Sequence, residues 1–169
     1  CGSALDGFFC FYSLPDLVHI LGVDASSGLL DEARKRLINF PNLAAKMTLV
    51  EADLNQLERH NPGSFDMILM NGSFNLIYDK ASFFQTISRF LNNHGKILIY
   101  DFLLIEDLPP GFTDEIDNWL WNIGGALRED ELRGVLNDVE LKLISVEELE
   151  RIDPVASCEI LIAKKTACH

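Results

Sequence analysis

The chain has 169 residues, of which 48% are hydrophobic, so it can build a core of ordinary domain size without disulfides or metal. This composition excludes a disordered chain and a small disulfide-stapled scaffold. Fourteen Lys and Arg against 26 Asp and Glu give a net charge of −12, which repels phosphate backbones and anionic headgroups. Nucleic acid and acidic membrane surfaces are therefore disfavoured as partners.

The first third of the chain predicts a helix, a strand and a second helix. The first helix follows Gly2 and buries an apolar face that recurs at helical spacing, made of Leu5, Phe8, Phe9 and Tyr12. Residues 18–23 form a short apolar run that closes at Asp24, which predicts a strand buried on both faces. Ser26 or Ser27 then caps a helix whose apolar face contains Leu29, Leu30, Ala33 and Leu37.

The same alternation continues through the middle of the chain. Residues 47–52 are strand-like and end at Asp53, and residues 65–70 are strand-like and end at Asn71-Gly72. A helical face follows, terminated by Gly95 and made of Phe83, Phe84, Ile87, Phe90 and Leu91. Residues 96–104, which include Asp101, then predict another apolar strand.

The last third begins with an aromatic insertion that contains Trp119 and Trp121. A helix is predicted near residues 128–136, and residues 139–146 and 158–164 predict an antiparallel strand pair. An acidic group between these strands is expected in a solvated hairpin loop: Glu147, Glu148, Glu150 and Asp153. The whole pattern predicts one α/β domain over residues 1–169, with a three-layer, Rossmann-like, mostly parallel sheet and a C-terminal antiparallel hairpin.

In parallel sheets, ligands bind outside the carboxyl ends of the strands, so the polar residues there are informative. Asp24 follows Gly2 by 22 residues, about the separation at which an acidic residue reaches the ribose hydroxyls of a nucleotide-like ligand. Asp53 followed by the Leu54 amide offers an acceptor and a donor to an adenine edge. Taken singly, each aspartate is also explained as a helix cap or a solvated turn residue; their ordered recurrence favours the ligand.

Five stretches resemble motifs of the class I S-adenosylmethionine-dependent methyltransferases, particularly the small-molecule members similar to methyltransferase types 11 and 12. They are residues 1–6 (CGSALD), 21–26 (LGVDAS), 50–54 (VEADL), 65–78 and 91–102. With the closing hairpin they cover nearly the whole chain. The order and spacing of the stretches carry the resemblance, since each is short.

The resemblance implies S-adenosylmethionine as the cofactor and in-line methyl transfer to a small-molecule acceptor, with no catalytic base assigned. It also implies six cofactor-binding residues. Gly2 would approach the amino-acid portion of the cofactor, Asp24 would bind the ribose hydroxyls and Ala25 would flank the adenine. Asp53 would accept from the adenine amine, the Leu54 amide would donate to the adenine ring, and the Asn71 carbonyl would lie near the cofactor's amino group.

The chain departs from the family pattern at its beginning. The first motif usually has another glycine where Ala4 or Leu5 stands, and the strand that leads into it, central in the family's sheet, is missing before Cys1. Three explanations stay open: residues precede Cys1 in the natural protein, a second chain supplies the pairing in a homodimer, or a truncated relative has lost cofactor binding. The absence of an initiator Met favours the first.

The acceptor is expected to be a small organic molecule. Residues 71–74 (NGSF) lack the consecutive prolines of nucleobase amino methyltransferases. Residues 123–127 resemble a segment of arsenite-type enzymes, but Trp121-Asn122 stands where those place a cysteine, which disfavours arsenic. Four aromatic residues are interpreted either as pocket lining or as packing: Phe74, Phe112, Trp119 and Trp121.

Two other functions compete with methyl transfer. A non-catalytic, methyltransferase-like binding or assembly subunit would explain the eroded first motif. A nicotinamide-dependent oxidoreductase would share the glycine turn and the ribose acid, but it predicts neither Asp53 nor the hairpin, and the chain has no Tyr-x-x-x-Lys.

The cysteines suggest a reduced, cytoplasmic protein, because they include no CxxC pair typical of a zinc ribbon or a redox dithiol. The adjacent Cys168 and His169 are discounted as a metal site, since residues at a chain end are usually solvated. We expect no bound metal, no membrane span and no export signal, because the apolar stretches are shorter than the ~20 residues of a membrane helix.

Overall fold

The computed structural model of the protein describes residues 1–60 and 62–165, so Cys168 and His169 lie outside the described residues. The chain divides into two compact units, Cys1–Pro62 and Gly63–His169, called here the first and the second unit. The expectation of a single domain over residues 1–169 stays a prediction.

The first unit contains a short parallel sheet. Its elements are α1 (Leu5–Ser13), β1 (Ile20–Asp24), α2 (Ser27–Leu37), α3 (Pro41–Ala44), β2 (Met47–Glu51) and a 3-10 helix over Leu54–His60. The strands β1 and β2 pair in parallel, from Ile20 opposite Met47 to Asp24 opposite Glu51. Both strands therefore end at the same edge of this sheet.

Helix α2 forms as its sequence predicts. The Ser26 hydroxyl accepts a hydrogen bond from the Leu29 amide at 3.3 Å, which satisfies one of the unpaired donors at the helix start. The last turn carries Arg34, Lys35 and Arg36, whose positive charges suit the helix C-terminus. The buried face consists of Leu30, Ala33 and Leu37.

The orientation of α1 differs from the prediction. Leu5, Phe9 and Tyr12 are exposed, and α1 instead packs through Gly7 and Phe8 against the cluster that includes Met47. A β-carbon on Gly7 would lie 3.0 Å from the Met47 Cε, so the glycine permits this close approach. Of the predicted stripe only Phe8 therefore packs inward, and the prediction was wrong for the other three residues.

The first strand was also predicted to begin too early and to be more buried than it is. It begins at Ile20 rather than at residue 18, and Val18 is exposed. Within β1 only Gly22 is buried. Along residues 1–60 and 62–165, β1 has a single partner strand, β2, which leaves its flanks partly open to solvent.

The second unit contains a mixed four-stranded sheet in the order β3-β4-β6-β5. Its elements are β3 (Phe65–Asn71), α4 (Lys80–Ser88), β4 (Leu91–Leu104), a 3-10 helix over Phe112–Asp114, α5 (Ile116–Leu120), α6 (Glu129–Asn137), β5 (Leu141–Ile152) and β6 (Val155–Lys164). β3 and β4 are parallel, whereas β6 runs antiparallel to both β4 and β5. The predicted α/β class with a C-terminal antiparallel hairpin is confirmed.

Two local predictions in this unit were wrong. Leu91 belongs to β4 and not to the preceding helix, which ends at Ser88. Leu91 fitted the apolar periodicity of the predicted helix because it is a buried apolar residue, but it is buried in the sheet. Gly95 does not terminate a helix; it lies in an irregular part of β4, where the pairing with β3 jumps from Leu91 to Lys96.

Three of the four acidic residues predicted in a hairpin loop lie in a strand instead. Glu147, Glu148 and Glu150 belong to β5 and face residues of β6. The hairpin turn is shorter than expected and lies at Asp153-Pro154, which joins Ile152 to Val155. Along the described part of the chain, no helix has the length and apolarity needed to cross a membrane.

Candidate functional site

Asp24 and Asp53 lie at the same edge of the sheet in the first unit. Asp24 is the last residue of β1 and stands opposite Glu51, the last residue of β2. The backbone oxygen of Asp24 accepts a hydrogen bond from the Ala52 amide at 3.0 Å, which continues the pairing one step beyond both strands. Asp53 directly follows Ala52 in the chain. The two residues predicted to bind one ligand thus lie at or just beyond the carboxyl ends of adjacent parallel strands.

The Asp24 carboxylate is held by backbone amides. Its Oδ2 accepts from the Gly2 amide at 2.7 Å and from the Cys1 nitrogen at 3.0 Å, and its Oδ1 accepts from the Ser26 amide at 2.9 Å. Burial acts to raise the pKa of Asp24, but the hydrogen bonds from Ser26 and Gly2, together with the hydrogen bond and positive charge of the Cys1 amino group, outweigh it, so the pKa lies below its ordinary value. Asp24 is therefore a fixed, ionised acceptor at neutral pH.

The remaining predicted residues of the first unit surround this edge with small or exposed groups. Gly2 has a φ of +52°, and a β-carbon built there would meet nothing within 4 Å. Ala25 and Asp53 are exposed, and Leu54 is partly exposed. The Asp53 backbone oxygen accepts from the Gln56 amide at 2.8 Å, which opens the 3-10 helix. The edge therefore presents open space beside Gly2 and an ionised carboxylate at Asp24, and the binding roles of these residues stay predictions.

Asn71 belongs to the second unit, and its role stays a prediction. It is the exposed last residue of β3 and pairs with Tyr100 of β4. The next amide, that of Gly72, donates to the Tyr100 oxygen at 2.9 Å with Gly72 at a φ of +61°. The chain therefore leaves the sheet through a tight turn directly after Asn71.

The second unit also contains a buried carboxylate that the sequence analysis placed in a strand without assigning it a role. Asp101 is 5% exposed. Its Oδ2 accepts from the amides of Phe74 at 2.9 Å and Asn75 at 3.2 Å. Its Oδ1 accepts from the Phe102 amide and the Asn122 Nδ2, both at 2.9 Å, and from the Asn75 Nδ2 at 3.0 Å.

Burial raises the pKa of Asp101, and the amide hydrogen bonds and the Lys80 charge act against that rise. The cost of burying a carboxylate is therefore partly offset by five donors that converge on it. A charged residue in the apolar run of residues 96–104 is the signal in the sequence. Spacing alone does not identify the donors, which come from segments 21 and 26 residues away.

Two asparagines, Asn75 and the partly buried Asn122, complete this network. The fully buried Asn75 also directs its Nδ2 to the backbone oxygens of Phe102 and Asn122, both at 2.9 Å. Asn122 has a φ of +65°, in the left-handed region that asparagine tolerates better than most residues. The side-chain oxygens of Asn75 and Asn122 find no hydrogen-bond partner among the described residues. Both side chains are thus oriented through their nitrogens.

Lys80 is buried beside the same loop. Its Nζ donates to the Ile77 backbone oxygen at 2.7 Å and lies 5.0 Å from the centre of the Phe74 ring. Burial lowers the pKa of Lys80 to about 8, and the nearby Asp101 charge acts in the opposite direction. Lys80 is a cation held in a poorly solvated position, a property that its sequence neighbours did not reveal.

The four aromatic residues considered as pocket lining have different roles. Phe74 is fully buried and contacts Phe84 with ring centres 5.5 Å apart, so it belongs to the core. The Trp119 indole donates to the Thr113 oxygen at 2.8 Å, and its ring centre lies 6.0 Å from that of Tyr78. Trp121 is 74% exposed, and Phe112 is partly exposed at the start of its 3-10 helix.

Solved structures with the same architecture include methyltransferases. An arsenic(III) S-adenosylmethionine methyltransferase from Chlamydomonas reinhardtii aligns with a TM-score of 0.78 at 20% identity, over 98% of this chain and 61% of its own. An O-methyltransferase of a trans-AT polyketide synthase multienzyme from Brevibacillus brevis, solved with S-adenosyl-L-homocysteine, aligns with a TM-score of 0.73 at 16% identity, over 98% and 64%. At these identities the likeness shows the fold, which is the Rossmann-like fold of methyltransferases.

The sequence places the chain in a family. The profile of a family described as a methyltransferase domain matches residues 1–148, and the chain belongs to that family. Among curated proteins, none matches the sequence. The chain spans about three fifths of the length of the two structural relatives named above. The resemblance drawn from the five sequence stretches is confirmed.

Proposed function

We propose that the chain binds S-adenosylmethionine and transfers its methyl group to a small organic acceptor. The observation that carries this proposal is the placement of Asp24 at the end of β1 and of Asp53 two residues after the end of the adjacent parallel strand β2. Membership of a methyltransferase family supports methyl transfer over the hydride transfer that a nicotinamide site would serve.

Asp24 is assigned to the ribose hydroxyls. Each carboxylate oxygen accepts about two hydrogen bonds, and the Oδ1 of Asp24 accepts one from Ser26, so it retains capacity for a hydroxyl. The exposed Asp53 carboxylate is assigned to the adenine amine, with the Leu54 amide as the donor to the ring. The exposed Ala25 is assigned to the face of the base, and Gly2 to the amino-acid portion, since a β-carbon on Gly2 would meet nothing within 4 Å.

The bound cofactor supplies a methyl group on a positively charged sulfur, which is already activated for transfer. The contribution of the protein is to hold the acceptor in line with that methyl group and to exclude water. Such alignment alone can account for a large part of a rate enhancement, of the order of 7–11 kcal/mol in well-oriented reactions. No residue is assigned as a catalytic base.

A small organic acceptor fits the chain better than nucleic acid, because the net charge of −12 opposes a phosphate backbone. The structural relatives act on arsenic(III) and in a polyketide synthase multienzyme. Arsenic is the less suitable of the two here, since Trp121-Asn122 offers no thiolate. Cys1, Cys10 and Cys158 are free thiols, in keeping with a reducing, cytoplasmic location.

Isothermal titration calorimetry with S-adenosylhomocysteine and, separately, with NAD tests this function. We expect S-adenosylhomocysteine to bind with a 1:1 stoichiometry and NAD to give no heat of binding. Binding of NAD alone would replace the proposal with an oxidoreductase. Binding of neither ligand to the folded chain would favour a non-catalytic subunit.

A further inference from the structure

The insertion between β4 and α6 is closed at its base. The Leu104 amide donates to the Leu127 oxygen at 2.9 Å, which brings the two ends of residues 105–126 together. The Arg128 guanidinium reinforces this closure through the Asp107 carboxylate at 2.5 Å and the Ile105 oxygen at 3.4 Å. The two ends of the insertion are therefore fixed, and a separate contact has to hold its inner part in place.

That inner anchor is Asn122, which donates to Asp101. The same carboxylate accepts from Phe74 and Asn75 in the loop that follows β3. We call Asp101, Asn75 and Asn122 the carboxylate clasp. A neutral side chain at position 101 could not accept five donors, so the negative charge adds to the direct hydrogen bond from the Asn75 Nδ2 to the Asn122 oxygen in joining the two loops.

The clasp sets the distance between aromatic groups that the two loops carry. Tyr78 comes from the loop after β3 and Trp119 from the insertion, and their rings are in contact at 6.0 Å. Trp119 also joins the clasp directly, because its backbone oxygen accepts from the Asn122 amide at 2.9 Å. A shift of Asn122 would therefore move Trp119 relative to Tyr78.

We propose that Asp101 is a positioning residue that holds the loop after β3 and the Trp119–Asn122 turn in one arrangement, and so shapes an aromatic surface for the methyl acceptor. The acceptor part rests on the proposed function. Asp101 itself is buried and is not assigned to contact cofactor or acceptor. Its effect is transmitted through Asn75 and Asn122.

The direct test is residue-resolved amide hydrogen exchange in Asp101→Asn. The amides of Phe74, Asn75 and Phe102 donate to the carboxylate, so their exchange should accelerate roughly tenfold or more when a charged acceptor is lost. The buried sheet amides of Ile97 and Ile162 serve as internal references and should keep their protection. Glu148→Gln makes the same charge change on an exposed strand and is the matched control.

Trp119 provides a spectroscopic readout of the insertion. The chain has two tryptophans, so Trp121→Phe leaves Trp119 as the sole indole. In that background, Asp101→Asn should shift the Trp119 emission to the red and increase its quenching by acrylamide. Unchanged Trp119 emission and quenching, in a variant whose Phe74 and Asn75 amides exchange faster, would overturn the positioning role, because the carboxylate would then act only within its own loop.

Asn122→Gly isolates the side-chain contact, because glycine adopts the left-handed backbone without strain. This variant should shift the Trp119 emission and leave the Phe74 amide protected. If Asp101→Asn does not fold, Asn122→Gly tests the proposal by itself, and an unchanged Trp119 emission in this variant would refute the proposal.

Neither exchange nor fluorescence requires a cofactor. If the variants show these changes but the chain binds no S-adenosylhomocysteine, the carboxylate clasp is supported and the proposed methyl transfer is contradicted. Conversely, if the chain binds S-adenosylhomocysteine but the Trp119 emission does not change in the variants, the proposed function is supported and the positioning role of the clasp is contradicted.

Discussion

A β-carbon built on Gly125 would lie 2.0 Å from the backbone oxygen of Asn75. It would also lie 2.7 Å from the Trp119 Cζ3, so both sides of the glycine are occupied. No side-chain adjustment relieves a clash with backbone. The insertion therefore rests directly on the loop after β3, and only glycine permits this approach.

We predict that Gly125→Ala lowers the free energy of unfolding by about 1–3 kcal/mol or more, as overpacking does in tightly packed sites. Gly134→Ala is the matched control, because a β-carbon on this residue of α6 meets nothing within 4 Å. Alanine in an exposed helix interior should instead stabilise by about 0.5–1 kcal/mol. Urea unfolding of both variants measures the difference; equal effects would contradict the close approach.

Lys80 should make stability depend on alkaline pH. Its pKa is about 8 in the folded chain, below the ordinary 10.5, so the unfolded state binds more protons between these values. Stability therefore rises with pH across this window, and the penalty of burying the charge is fully present below about pH 8. We expect wild type to gain about 2 kcal/mol between pH 8 and pH 10 relative to Lys80→Met.

Denaturant unfolding of wild type and Lys80→Met at pH 7, 8, 9 and 10 measures this gain. Other groups titrate in both proteins and cancel in the difference. Parallel stability curves across the window would show that Lys80 is solvated and would contradict its burial.

The buried face of α1 can be tested with two adjacent phenylalanines. Phe8 contacts Phe40 with ring centres 4.6 Å apart and packs on the cluster around Met47, whereas Phe9 is 70% exposed. We predict that Phe8→Ala costs about 2–3 kcal/mol of stability, and that Phe9→Ala stays within about 0.5 kcal/mol. Thermal and urea unfolding compare the two. The reverse order would contradict the packing of Phe8 on this cluster.

The ends of the strands could be predicted because an apolar run stops at a polar residue whatever the rest of the fold does. Asp24 and Asn71 end their strands as predicted, and Asp53 follows the end of β2 by two residues. The Ser26 cap depends only on neighbouring residues. The C-terminal hairpin was predicted from the same kind of local pattern.

The face of α1 could not be predicted, because two sets of residues share the helical period. The small Gly7 decides between them by allowing contact with Met47, and that contact depends on tertiary structure. The carboxylate clasp was missed for a similar reason. Asn75 and Asn122 lie 26 and 21 residues from Asp101, and no local pattern links them.

The adenosyl site is tested most directly by S-adenosylhomocysteine titration of Asp24→Asn, Asp53→Ala and the double variant. Each lost charged acceptor should weaken binding by roughly tenfold to a hundredfold, since hydrogen bonds to charged groups are worth about 1.5–3 kcal/mol. Asp31→Asn, on an exposed position that pairs with Arg34, is the control and should bind as wild type does. Thermal unfolding checks that each variant is folded. Unchanged affinity in folded Asp24→Asn and Asp53→Ala would contradict the assignment of these strand ends to the cofactor.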